Sequence, residues 1–294
     1  MKYKRIIYEP GRVARIRLNR PQQLNALSNP HMKELEEAFD HAAEDPECRV
    51  IVLSGEGRAF CVGHDAVPTS PENRMMADGT TREQLIAELG SESAADHRFR
   101  QEGIYLVHEV PMRKWRNILK PMIAMVHGHV IYGGFLLAAS MDLVFAAEDA
   151  LFLPSLVNMY PGPWDFNVRK TKEILFEHRF ITAREAHDLG FVSRIYPDRD
   201  ALEHETLAYA HRVADNALHT YSIANVKRGL NMTMDLAGFA SARDYAIGLH
   251  HRAGPLPEAE ARELRSAKGV ARASVALQNL KSKQEADEKY YPEK

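Results

Sequence analysis

The feature that most constrains the fold is an alternation of short apolar runs with helical segments in the first two thirds of the chain. Residues 50–54, 122–126 and 143–147 are apolar runs typical of strands buried on both faces of a parallel sheet. Before the first of these runs, residues 5–9 and 13–18 alternate apolar and polar side chains, which predicts a hairpin. A helix is predicted to begin at residue 29. This order predicts an α/β architecture.

Composition limits the function classes. The 294 residues carry 38 Lys and Arg against 40 Asp and Glu, a formal net charge of -2, which disfavours a general nucleic-acid binder. The only cysteines, Cys48 and Cys61, make a disulfide framework implausible and favour a reducing, cytoplasmic setting. We expect no targeting segment and no membrane span.

Glycines follow two of the buried strands, and both stretches belong to a set of three motifs. The motifs are Leu18-Asn19-Arg20-Pro21 with Leu24-Asn25-Ala26-Leu27, then Ala59-Phe60-Cys61-Val62-Gly63-His64-Asp65, then Gly128 to Gly133-Gly134. Glycine permits a positive φ and a close approach to the main chain. A helix that starts at Gly133 presents N–H groups at its first turn. Two facing loops would offer two N–H donors to one oxygen, an oxyanion hole. Each loop taken alone is more typical of an ordinary glycine turn.

Together and in this order, the motifs resemble those of the crotonase superfamily, the enoyl-CoA hydratase/isomerase family, over residues 8–197. The resemblance implies a ββα spiral core over residues 1–200 and a helical C-terminal trimerisation region over residues 201–294. It implies an acyl-CoA substrate and a homotrimer or dimer of trimers. It implies no metal and no cofactor other than the coenzyme A of the substrate. From the charge balance and the absence of a long apolar segment we expect neither a nucleic-acid nor a membrane partner.

Carried over by position, the resemblance assigns the oxyanion donors to the backbone N–H groups of His64 and Gly133. The residues expected to line the coenzyme A pocket are Asn25, Ala26, Leu27, Asp65, Ala66 and Val67. A polar insertion over residues 66–112 is expected to act as a lid over the acyl pocket, followed by a helix over residues 99–115.

The chain departs from the family's hydratases at the acid/base positions. Those enzymes carry two glutamates, and the corresponding residues here are Leu136 and Ser155. Neither side chain transfers protons as a glutamate does, so hydration by a pair of glutamates is in doubt.

Three residues are candidates to replace the glutamates. Asp165 lies where some family members that cleave or form C–C bonds use an aspartate; it is otherwise a carboxylate in the first turn of a helix. Tyr132 precedes the oxyanion donor, and its hydroxyl either donates to substrate or packs. His129 is a candidate acid or base, or a loop histidine bonded to backbone. His127 and His129 are spaced to share a metal, but no third ligand is evident.

Three functions remain open. The first is enoyl-CoA hydratase/isomerase-like chemistry through an enolate. The second is retro-Claisen hydrolysis of a cyclic β-diketone or ketoacyl-CoA, with water activated by Asp165 or a histidine. The third is non-catalytic acyl-CoA binding.

Overall fold

A computed structural model describes residues 3–65, 70, 72, 74–154, 161–216, 222–252 and 269–290. Within these ranges the larger sheet has six strands in the order β1-β2-β3-β4-β6-β9. They are β1 (Ile6–Glu9), β2 (Val13–Leu18), β3 (Val50–Gly55), β4 (Met122–Val126), β6 (Leu143–Ala147) and β9 (Arg194–Tyr196). The hairpin of β1 and β2 is antiparallel and the other pairs are parallel. The predicted hairpin and parallel strands are confirmed.

A smaller sheet lies after the larger one, with β7 (Leu151–Leu153) between β5 (His129–Ile131) and β8 (Ile181–Thr182). An isolated bridge between Cys61 and Val130 joins the chain after β3 to β5. The segment that follows β3 therefore lies beside the segment that follows β4, which brings the two glycine motifs together.

Helices cover both faces of the large sheet. On one face lies α1 (Asn29–Glu44), which Ser28 caps by accepting a hydrogen bond from the N–H of His31. On the other lies α8 (Arg199–Ala214). Alternate residues of β3 divide between them: Ile51 packs in the α1 core and Val52 in the α8 core. Burial on both faces explains why this strand is apolar throughout.

The shorter helices between β5 and β9 complete the core. They are α4 (Gly133–Ala139), α5 (Gly162–Asp165), α6 (Val168–Glu177) and α7 (Ala183–Asp188). Thr182 caps α7, since its side chain accepts a hydrogen bond from the N–H of Glu185.

The insertion after β3 is more structured than the sequence indicated. It contains α2 (Arg82–Leu89), α3 (Glu92–Ile104) and a π-helix, Tyr105–Lys114, followed by a 3₁₀ turn, Trp115–Asn117. The expected helix over 99–115 is therefore wrong in both bounds and type, because α3 begins seven residues earlier and changes to π geometry after Ile104. A small core of its own, made by Met76, Leu85 and Ala95, holds α2 and α3 together.

The remaining chain is helical where the structure describes it, as predicted. It forms α9 (Ala224–Leu236), α10 (Phe239–Arg252) and α11 (Gly269–Tyr290). The ammonium of Lys227 on α9 donates to Asp142 at 2.8 Å, and Asp142 also accepts from the N–H of Met122. Asp142 thus ties α9 to the start of β4. Among the described residues, no helix is both long and apolar enough to cross a membrane.

Candidate active site

The motif around residue 27 pairs with the glycine loop after β3. The N–H of Leu27 donates to the carbonyl of Gly63 at 2.7 Å, and the N–H of Asp65 donates to the carbonyl of Leu27 at 2.9 Å. Gly63 has φ +85, and a Cβ there would lie 2.9 Å from the carbonyl oxygen of Ile131 and 3.2 Å from the nitrogen of Gly133. Glycine is required here for both the backbone conformation and the close approach.

The second glycine loop closes against the first. A Cβ built on Gly133 would lie 3.4 Å from Cα of Gly63 and 3.1 Å from Cδ1 of Leu27. The structure therefore brings together the two segments that were predicted to supply the oxyanion donors. Gly133 is the first residue of α4, where helical N–H groups have no partner within the helix.

The peptide between Tyr132 and Gly133 is held in an uncommon orientation. Tyr132 has φ 48 and ψ -104, a conformation that bulky residues seldom adopt. Its N–H donates to the carbonyl of Leu153 at 2.8 Å, and its carbonyl accepts from the N–H of Leu136 at 3.0 Å. Strain of this kind persists where surrounding bonds impose it, and it is common at functional sites.

Asp165 is the last residue of α5. Its two neighbours pack inward: the Phe166 ring is 6.0 Å from the ring of Phe135 on α4, and the Trp164 ring is 5.3 Å from the Phe239 ring. The residue is half-buried, but its Oδ2 is shielded from solvent and has no hydrogen-bond partner among the described residues. Burial raises the pKa of Asp165 to about 7. A carboxyl group with this pKa exchanges protons readily near neutrality.

The residue at the first missing glutamate position has apolar surroundings. Leu136 is fully buried in a cluster with Met112, Phe239 and Ala246. The second position, Ser155, lies outside the described residues.

The π-helix packs against α4 at this corner; that the insertion acts as a lid over the acyl pocket stays a prediction. Val107 packs on Gly133, with its Cγ1 3.0 Å from the place of a Cβ, and Met112 packs on Leu136. His108 lies between them, with its Nε2 3.4 Å from Nε2 of His64. Sequence reasoning missed His108, because no motif or spacing marks it within the polar insertion.

The other two candidate side chains face elsewhere. The Tyr132 ring packs on a cluster that includes Phe180, Ala276 and Leu280, so α11 covers it. His129, at the opposite end of β5 from Gly133, stacks edge-on against Phe180 with ring centroids 5.8 Å apart, and burial lowers its pKa. The structure thus brings the His64 and Gly133 loops together, and the His129 side chain packs away from them on Phe180.

The residues predicted to line the coenzyme A pocket are buried within the protein where they are described. Asn25 uses its amide internally, accepting from the N–H of Arg20 and donating to the carbonyls of Glu56 and Ala59. Ala26 and Leu27 are also buried. Ala66 and Val67 lie outside the described residues. The pocket itself therefore stays a prediction.

Asp65 forms a buried ion pair that fixes the first glycine loop. Its Oδ2 accepts from Nη2 of Arg20 at 2.8 Å, and the two side chains are 2% and 7% exposed. Arg20 also donates to the carbonyl of Ala26 at 2.5 Å. The pair therefore joins the first motif to the second, and Asp65 positions His64 through the backbone.

We expect Arg20→Met to lower the free energy of unfolding by about 3–5 kcal/mol, because it leaves a buried carboxylate without its partner. Urea unfolding followed by circular dichroism measures the change. The matched control is Arg12→Met, since Arg12 pairs with Asp215 on the surface, where an ion pair contributes about 1 kcal/mol at most. Equal losses for the two variants would contradict the assigned role.

Comparisons with known proteins agree with this geometry. The sequence model described as "Enoyl-CoA hydratase/isomerase" matches residues 9–254. The chain is 35% identical over 251 residues to "Putative enoyl-CoA hydratase EchA13" of Mycobacterium tuberculosis, covering 82% of this chain and 77% of that protein. It is 27% identical to the mitochondrial Delta(3,5)-Delta(2,4)-dienoyl-CoA isomerase of Mus musculus, covering 67% of this chain and 60% of the isomerase.

Solved structures show the same likeness. A probable enoyl-CoA hydratase of Mycobacterium thermoresistibile matches with a TM-score of 0.67 and 35% identity, covering 88% of this chain and 99% of that one. An enoyl-CoA hydratase/isomerase of Xanthobacter autotrophicus Py2 matches with a TM-score of 0.73 and 26% identity, covering 93% and 96%.

Proposed function

This chain belongs to the enoyl-CoA hydratase/isomerase family and has the crotonase fold, and we propose that it is an isomerase that moves a carbon–carbon double bond in an acyl-CoA thioester. The observation that carries the proposal is the carboxyl of Asp165, whose Oδ2 is shielded from solvent and unpartnered among the described residues, next to Phe166, which packs on Phe135 of α4. Asp165 takes a proton from one carbon of the acyl chain, and a proton is then added to another carbon.

The backbone near Gly63 and Gly133 suits the intermediate of such a reaction. Removing a proton next to a thioester carbonyl places negative charge on the carbonyl oxygen. The N–H groups of His64 and Gly133, on loops that pack together, donate to that oxygen. Each such donor lowers the barrier by about 3 kcal/mol in other oxyanion holes.

The acid/base chemistry favours isomerisation over hydration. Hydration adds a proton and a hydroxyl group, and family hydratases use two glutamates for this work. Here a leucine, buried in an apolar cluster, stands at the first glutamate position. Isomerisation needs no water, only a group that accepts a proton and releases it. A pKa of about 7 fits Asp165 for both steps. The likeness to a dienoyl-CoA isomerase supports the same choice.

The experiment is turnover of 3-enoyl-, 2-enoyl- and dienoyl-CoA esters by the purified protein, with products separated by chromatography and their masses measured. We expect double-bond isomers of unchanged mass. A product heavier by one water that also forms with Asp165→Asn would contradict the proposal. Hydrolysis of cyclic β-diketones would establish the retro-Claisen alternative, and binding of acyl-CoA without turnover would establish the non-catalytic one.

We also propose that the chain assembles with copies of itself, as a homotrimer or dimer of trimers. Support comes from apolar side chains on α9 that are exposed in the isolated chain, among them Leu230 at 63% and Leu236 at 81%. Exposed apolar surface of this kind marks an interaction site. It lies in the region that the family resemblance assigns to trimerisation.

We expect Leu230→Glu combined with Leu236→Glu to reduce the assembly to monomers, because two carboxylates would have to be buried in the contact. Light scattering during size-exclusion chromatography measures the mass. Leu89→Glu, a change at a partly exposed leucine of α2, should leave the mass unchanged. A wild-type protein that is already monomeric would contradict the proposed assembly.

A further inference from the structure

The imidazole of His64 lies against that of His108. Their Nε2 atoms are 3.4 Å apart, with ring centroids 5.4 Å apart and ring planes at 50°. His64 is exposed, whereas His108 is only 1% exposed. The two rings therefore link an exposed side chain of the first glycine loop to a buried side chain of the π-helix.

The position of the pair is fixed from both sides. His64 follows Gly63, whose backbone packs on Gly133. Val107, the residue before His108, packs on Gly133 as well, and Met112 of the same π-helix packs on Leu136. Residues of the π-helix thus contact both glycine loops. The pair consequently lies next to the place proposed for the thioester oxygen.

The contact between two Nε2 atoms restricts how protons are distributed. A neutral imidazole has one ring nitrogen that donates and one that accepts. For a hydrogen bond between the two Nε2 atoms, one ring must donate and the other accept. The pair can take up one additional proton and keep this bond. A second additional proton would place N–H against N–H and two positive charges side by side.

We propose that His64 and His108 are a proton-sharing pair that serves as the second proton carrier of the active site. His64 faces the substrate, and His108 is a positioning residue that acts through it. This inference rests on the proposed isomerase function and adds to it a group that the Asp165 chemistry alone does not include.

The proton balance of the reaction is then complete. The Asp165 carboxylate takes a proton as one C–H bond breaks and the enolate forms. The singly protonated pair gives a proton from His64 to the other carbon, where a new C–H bond forms as the double bond moves. Asp165 is left neutral and the pair has lost its added proton. Exchange with solvent restores both groups, so each turnover places one solvent hydrogen in the product.

The test compares His108→Gln with His127→Gln, a matched control because His127 is also buried and bonds to the carbonyl of Gly57. In D₂O, we expect the wild type and the control to incorporate one deuterium per turnover. For His108→Gln we expect kcat to fall about 100-fold, the lower end for loss of an acid/base group. KM should stay within about twofold, and the product should retain hydrogen from the substrate.

A readout that needs no turnover is the ¹⁵N resonance of the His64 ring in histidine-labelled protein. We expect it to shift in His108→Gln and to stay in place in His127→Gln. His64→Gln, at an exposed side chain, gives a second variant that keeps the backbone N–H and should reproduce the kinetic loss.

Wild-type kcat and deuterium content in both His108→Gln and His64→Gln would overturn the pair and leave the isomerase function standing. Absence of turnover by the wild type would overturn the isomerase function itself, and the carrier role with it.

Discussion

Asp165→Asn should lower kcat by about 10²–10⁴-fold and change KM little, because the amide keeps the shape of the side chain but accepts no proton. In the wild type, the proton-abstracting form is the carboxylate. Because burial raises the pKa of Asp165 to about 7, kcat/KM should rise with pH through neutrality. Steady-state kinetics of both proteins between pH 5 and 9 measure the two effects. A flat wild-type profile, or an active Asp165→Asn protein, would remove Asp165 from the mechanism.

The same substitution should stabilise the fold at alkaline pH. An aspartate in the unfolded chain has a pKa of about 3.9, whereas that of Asp165 in the folded protein is about 7. Between these values the folded state binds the proton more tightly, so the contribution of Asp165 to stability falls as pH rises through this window. A pKa difference of about 3 corresponds to about 4 kcal/mol above pH 7.

Asn does not titrate, and thermal unfolding should therefore show Asp165→Asn as the more stable protein at pH 8 by up to about 4 kcal/mol. The difference should shrink toward pH 4. The matched control is Asp188→Asn, at an exposed carboxylate, which should change stability little at either pH. A variant that is less stable than the wild type at pH 8 would show that the Asp165 carboxylate has partners in the folded protein.

Gly63→Ala should lower kcat by about 10²–10³-fold, as does the loss of one donor from other oxyanion holes. The new Cβ would lie 3.2 Å from the nitrogen of Gly133 and 2.9 Å from the carbonyl oxygen of Ile131. The two loops must then move apart, so their N–H groups no longer converge on one oxygen. Crowding in a packed region also lowers stability by about 1–3 kcal/mol.

Gly190→Ala separates backbone strain from the loop contact. Gly190 has φ +90, close to the +85 of Gly63, but a Cβ there would meet nothing within 4 Å. We expect Gly190→Ala to lose about 1–2 kcal/mol of stability from the left-handed conformation alone, with unchanged kcat. If Gly63→Ala has wild-type kcat once its stability loss is matched by Gly190→Ala, the convergence of the two loops has no catalytic role.

The sequence predicted the parts of the molecule that are set by local patterns. The residues of β3 and the cap of α7 follow from apolar runs and from Thr182, and the glycine loops follow from the backbone conformations that Gly63 allows. Each of the two glycine motifs directly follows a buried strand. Because β3 and β4 are adjacent and parallel, the loops at their ends lie close together.

What could not be predicted depends on tertiary contacts. The raised pKa of Asp165 comes from burial beside α4, and nothing in its neighbouring residues indicates that burial. A role for His108 is indicated only by its contact with His64, which lies 44 residues away in the sequence. The α2 helix was missed because it buries only Leu85, and one apolar residue gives no helical period.

Because Tyr105–Lys114 is a ten-residue π-helix, the number of residues in this segment helps to determine which side chains face the glycine loops. Deleting Glu109 would allow the segment to wind as an α-helix, in which each residue advances the chain by 100° and 1.5 Å. Held at its C-terminal end by the Phe39–Trp115 stack, the shortened helix would rotate Val107 and His108 out of register with the glycine loops. A deletion of one residue would therefore change which side chains of this segment contact the two glycine loops.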